Sequence, residues 1–123
     1  MEIIHTESAP AAIGPYSQGI SAGGLVFTSG QIPVNPETGS VVEGDIAVQA
    51  EQSCKNVGEV LKAAGSGFEK VVKTTCFLKN MADFVAFNEV YAKYFVSKPA
   101  RSCVEVAVLP KGVLCEVEAV AVK

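Results

Sequence analysis

The chain has 123 residues, a net charge of −3 and a hydrophobic fraction of 49%. One domain of this size (residues 1–123) has too little interior for all of its apolar residues, and no run of about 18 of them offers a membrane span. The pI of about 5.1, with no basic cluster and no tryptophan, counts against nucleic-acid binding, which leaves a positive footprint.

Residues 6–16 read as a loop rich in Ala and Pro that ends Ile13-Gly14-Pro15-Tyr16. Two short strands follow, near 17–22 and 25–29, with Gly23-Gly24 as the hairpin turn between them. Asn35 to Gly39 is a second turn. Asp45 is placed to cap a helix whose stripe is Ile46, Ala50, Cys54, Val57, Leu61 and Ala64, and Gly65 is placed to end it. Residues 71–78 are rich in Val, Thr and Phe and read as a strand. Asn80 can cap a second helix over 81–96, with Phe84, Phe87, Asn88, Tyr91 and Phe95 on one face. Asn88 is polar on an apolar stripe, so it needs a partner if buried. Strands over 101–109 and 113–122 complete the chain.

The order β-β-α-β-α-β-β indicates an α+β subunit, a mixed sheet with two helices on one face. In the last strand Cys115, Val117, Ala119 and Ala121 share a side. Leu114, Glu116, Glu118, Val120 and Val122 share the other. Neither side is simply polar, so the face away from the helices needs cover, and a second copy of the chain is the natural candidate. The four cysteines, Cys54, Cys76, Cys103 and Cys115, form no Cys-x-x-Cys pair and lie far in sequence from the lone His5. The expectation is free thiols, no metal site and no cofactor. The N-terminus lacks the pattern of a signal peptide, which points to an intracellular, cytoplasmic protein.

Arg101 is the only arginine beside nine lysines. Its planar fork grips a carboxylate or phosphate through two parallel hydrogen bonds, a geometry that lysine cannot copy. From position alone, an anion site and a strand-end ion pair are equally open. Glu116 sits among apolar neighbours, where a carboxylate gains a raised pKa and can act as acid or base. A paired or solvated Glu116 is the alternative. If the last two strands are neighbours, Arg101, Cys103 and Glu116 can converge. Tyr16 is a ligand contact or a loop anchor, and Gly30, after Ser29, permits close backbone approach. Cys103 lacks a histidine to activate it, which favours packing or binding over thiol chemistry.

Ala11-Ala12-Ile13-Gly14-Pro15-Tyr16-Ser17-Gln18, Thr28-Ser29-Gly30-Gln31-Ile32-Pro33, Val72-Lys73-Thr74-Thr75, Phe87-Asn88-Glu89-Val90-Tyr91 and Pro99-Ala100-Arg101-Ser102-Cys103-Val104-Glu105-Val106 resemble the signature blocks of the Rid family, also called YjgF, and of its RidA branch. The resemblance runs nearly end to end. It implies a chorismate-mutase-like homotrimer with inter-subunit clefts. It also implies 2-iminobutanoate/2-iminopropanoate deaminase activity: hydrolysis of reactive 2-enamine and 2-imine carboxylates to 2-keto acids and ammonia. On that reading Arg101 clamps the substrate carboxylate and Glu116 activates water. Tyr16, Ser29, Gly30, Asn88 and Cys103 line the cleft. Val108 and Cys115 depart from the family pattern without removing a site group. The competing reading is a non-catalytic protein of the same fold that binds keto acids.

Overall fold

The computed structural model describes residues 1–123. Its strands are β1 (Glu2–Ile4), β2 (Gly19–Ala22), β3 (Leu25–Thr28), β4 (Val71–Leu78), β5 (Ala100–Glu105) and β6 (Cys115–Val122). Its helices are α1 (Ile46–Ala63) and α2 (Phe84–Tyr94). The strands form one sheet in the order β1-β2-β3-β6-β4-β5. All neighbours are antiparallel except β4 and β5. This is the expected α+β mixed sheet with one strand more. β1 escaped the sequence reading because three residues are too few to display alternation.

Local chemistry explains most of the element boundaries. Gly23 and Gly24 have φ of +59° and +79°, which suits the two central positions of a tight hairpin. The Asp45 side chain accepts from the Val48 N–H at 3.1 Å, and every residue of the expected α1 stripe is buried. Asn80 makes no side-chain cap. A 3-10 turn, Met81–Asp83, precedes α2 instead, and the Met81 N–H donates to the Glu105 carboxylate at 2.7 Å. Glu105 is also where β5 ends, short of residue 109. Its partner β4 stops at Leu78, and Val106 N–H to Leu78 C=O is the final bond between them.

The topology corrects one structural expectation. β5 and β6 are not neighbours, because β4 lies between them. A parallel pair requires a crossover connection, and α2 provides it for β4 and β5. β6 then takes the other edge of β4.

Along β6, Cys115, Val117, Ala119 and Ala121 are buried, while the residues between them are not. The cross-strand register carries this alternation through the sheet. Thr74, Arg101 and Ala119 align in one row, and Phe77, Val104 and Glu116 in another. The first row faces the helices and the second faces away. The core lies between helices and sheet, with Val57, Val60, Leu61, Leu78, Phe87 and Val117 fully buried. On the other face Phe27 (43% exposed), Val104 (43%) and Val122 (45%) remain uncovered by the chain itself.

Candidate functional site

Arg101 occupies the second position of an edge strand, facing α2. Its Nη1 donates to Asn88 Oδ1 at 2.8 Å, so Asn88 has the partner its place on an apolar stripe demanded. The guanidinium carbon lies 4.7 Å from the Tyr91 ring centre and 5.5 Å from that of Phe84. The chain's one salt bridge joins Lys123 to Glu2. The strand-end ion pair therefore does not form, and most of the guanidinium donors stay free. They face a cleft of about 460 Å³ lined by Asn88, Tyr91, Phe95, Lys98 and Pro99.

Cys103 follows on the same side of β5, directly beside Cys76 in the register. Burial pushes the Cys103 thiol up, and the Arg101 charge opposes that only in part. Burial, with the neighbouring Cys103, pushes Cys76 up to about 12. Both shifts disfavour the thiolate, which favours packing over nucleophilic attack at this pair. All four cysteines are free. No cluster of three His, Cys, Asp or Glu side chains is arranged to hold a metal ion.

The other candidates gather on the opposite face. The Thr28 hydroxyl, not its backbone, accepts from the Ala119 N–H at 3.0 Å. Pairing resumes between Gln31 and Val117. Ser29 and Gly30 thus stand opposite a single residue, Glu118, and form a bulge that turns their backbone toward Glu116. Two bonds pin the bulge: Ser29 Oγ donates to Ser17 C=O at 2.6 Å, and Ser29 N–H donates to Gln18 C=O at 2.8 Å. A Cβ on Gly30 would lie 2.8 Å from Glu116 Cδ, so only glycine lets the carboxylate rest there. Tyr16 is half exposed and shares a cleft of about 270 Å³ with Ile13, Gly30, Ile32 and Lys111.

Glu116 is partly buried and has no cation beside it. Burial raises its pKa, and the Glu118 charge adds to the rise. Desolvation disfavours the carboxylate, which makes it a better proton acceptor once it is ionised.

The candidates therefore form two groups: Arg101, Asn88 and Cys103 on the helix side, and Tyr16, Ser29, Gly30 and Glu116 on the other. Two strand gaps put Arg101 and Glu116 about 10 Å apart across the sheet, with another 10 Å or so along the strands. They also point to opposite sides. The convergence expected of neighbouring strands does not occur within one chain.

The residues that hold these groups were not legible in the sequence. Buried Gln18 receives the Thr6 N–H at 2.7 Å and donates to Thr6, Ala9 and Pro10 carbonyls, which ties down the loop before Tyr16. Asn56 donates to Ile32 and Val34 carbonyls at 3.1 and 2.9 Å and anchors the segment after Gly30. Thr74 shares a hydrogen bond with Tyr91 at 2.7 Å. The signal the sequence carries for Asn56 and Thr74, as for Asn88, is a polar residue among apolar neighbours; Gln18, in a loop, carries none.

A family model described as Endoribonuclease L-PSP matches residues 6–123. The chain belongs to this family. The structure of the YjgF gene product from E. coli superposes with a TM-score of 0.95 at 51% identity, covering 100% of this chain and 99% of that one. The resemblance to the Rid (YjgF) family is therefore borne out. The 2-iminobutanoate/2-iminopropanoate deaminase of Salmonella typhimurium is 53% identical over 124 residues, 98% of this chain and 96% of its own length. E. coli TdcF, solved with bound serine, has a TM-score of 0.95 at 47% identity, covering 100% and 99% of the two chains. No helix of the protein is long and apolar enough to cross a membrane.

Proposed function

We propose that this protein hydrolyses small 2-imino carboxylates, with their 2-enamine tautomers, to 2-keto acids and ammonia. The observation that carries the reading is the single arginine, fixed by neutral groups and left without a carboxylate. A small acid with a planar carboxylate fits that fork. Full-length similarity at 53% identity to a protein named for this reaction supports it.

Arg101 grips the substrate carboxylate and fixes the plane of the adjoining C=N bond. Glu116 accepts a proton from a water as its oxygen bonds to the imine carbon. The resulting carbinolamine expels ammonia as its C=O bond forms, the nitrogen having taken up a proton. One water is consumed, nothing is oxidised or reduced, and the proposed chemistry calls on no cofactor. Tyr16, Ser29, Gly30, Asn88 and Cys103 line the cleft.

Because the two groups occupy opposite faces, a site that uses both is assembled between copies. One copy supplies Arg101, Asn88 and Cys103, and its neighbour supplies Glu116 and the Ser29-Gly30 bulge. The uncovered apolar face around Phe27, Val120 and Val122 is the surface on which copies meet. A homotrimer with three inter-subunit clefts closes such a head-to-tail arrangement.

The test generates an imine in situ from an amino acid and compares wild type, Arg101→Ala and buffer. Acceleration by wild type alone is the expected result. A trimer that binds 2-ketobutyrate but accelerates no imine would identify a keto-acid-binding protein instead.

A further inference from the structure

The Arg101 charge is left unneutralised because the groups that hold it, Asn88 with the Tyr91 and Phe84 rings, are all neutral. Asn88 offers an amide oxygen at 2.8 Å, and Tyr91 offers its ring face at 4.7 Å. A carboxylate would fix the guanidinium as firmly but would fill the fork and cancel the charge. An amide takes one N–H. An aromatic face attracts the cation and takes none.

Tyr91 is itself immobilised. Its hydroxyl and Thr74 Oγ1 are 2.7 Å apart. Its ring stacks on Phe95 at 4.4 Å and lies 5.9 Å from Phe87. Thr74 is 1% exposed and is the residue aligned with Arg101 in the β4–β5 register. The backbone beneath Arg101 and the platform beneath its guanidinium are thus tied to one point on β4. Asn88 lies one helical turn before Tyr91 on the same face of α2, so one rigid helix presents both holders.

We propose that Tyr91 is a positioning residue for an anionic ligand: its ring sets the plane of the Arg101 guanidinium and leaves the fork unneutralised, while Thr74 holds the ring. The inference rests on the proposed function for the identity of the anion, and on the geometry alone for the positioning.

Because the chain holds one arginine, its side-chain Nε–H gives a single resonance in an isotope-labelled sample. In wild type that signal is expected to be displaced by the Tyr91 ring. Tyr91→Leu is expected to move it toward the free-arginine position. Tyr91→Phe keeps the ring but loses the hydroxyl tied to Thr74, so it is expected to restore the displacement in large part rather than fully. Titration with 2-ketobutyrate is expected to weaken about tenfold in Tyr91→Leu, with Tyr91→Phe within about threefold of wild type. In an Arg101→Lys background Tyr91→Leu should add less than about twofold.

A resonance that Tyr91→Leu leaves unchanged would overturn the proposal. So would equal weakening in both backgrounds, which marks a merely structural role. If Tyr91→Leu fails to fold, Tyr91→Met replaces it. A wild-type resonance at the free-arginine position overturns the proposal with no variant at all. If the resonance behaves as expected but wild type ignores 2-ketobutyrate, the positioning stands and the deaminase reading falls.

Discussion

The Arg101 half and the Glu116 half of the candidate site are built in opposite ways. Arg101 is held by Asn88, Tyr91 and Phe84 on a helix packed into the core, so its geometry is complete within one chain. Glu116 rests against bare backbone at Gly30, on a face the chain leaves uncovered, with no hydrogen-bond partner of opposite charge. One half is preorganised by neutral contacts and keeps its charge. The other is poised by desolvation and lacks cover. A cation left free on one face and a carboxylate left free on the other are complementary, and under the proposed function a second copy of the chain would bring the two together.

The largest expected effect breaks the first half. Arg101→Lys preserves the charge but loses the fork, and kcat/KM for imine hydrolysis should fall about 10³-fold. Full activity in that variant would remove the bidentate argument.

The division between copies is tested by mixing two inactive variants, Arg101→Ala and Glu116→Gln. Each alone lacks an intact site. After co-refolding in equal amounts, about a quarter of the interfaces pair an intact Arg101 with an intact Glu116, and activity should return to about that level. No recovery, with mixed oligomers confirmed, would mean that each site draws both residues from one chain.

Glu116→Gln isolates the second half and should cost about 10²-fold in kcat. The pH profile sharpens the point. Burial raises the Glu116 pKa, so the ionised base is lost as pH falls through a value higher than that of an unburied glutamate, and the variant should lack that acid limb. Stability moves the other way. A pKa raised by folding contributes stability below the unfolded value, and that contribution disappears as pH rises through the folded value. Glu116→Gln should therefore raise Tm at pH 7 and leave it unchanged near pH 3, as thermal melts would show. Equal melts at both pH values would argue against desolvation at this position.

The smallest effect tests how the carboxylate is aimed. Gly30→Ala forces a Cβ against Glu116 and should lower kcat about tenfold with little change in 2-ketobutyrate binding. A matching loss of binding would mean that the bulge touches the ligand more than it aims the base.

Elements whose causes are local are legible from residue spacing and type. The α1 stripe, its Asp45 cap, the Gly23-Gly24 turn and the alternation along β6 all follow from spacing and backbone preference, and each stands where it was expected. The lone Arg101 and a Glu116 among apolar neighbours were legible as chemistry for the same reason. Whether they could meet was not. That depended on β4 lying between β5 and β6, a consequence of the α2 crossover. β1 and the polar ties of Gln18, Asn56 and Thr74 were invisible for a related reason. A hydrogen bond between Thr74 and Tyr91, or between Asn56 and Val34, joins residues that sequence separates and only the folded chain brings together. Alternation assigned a side to each residue within its own strand. Only the register between strands decided that Arg101 and Glu116 look away from each other.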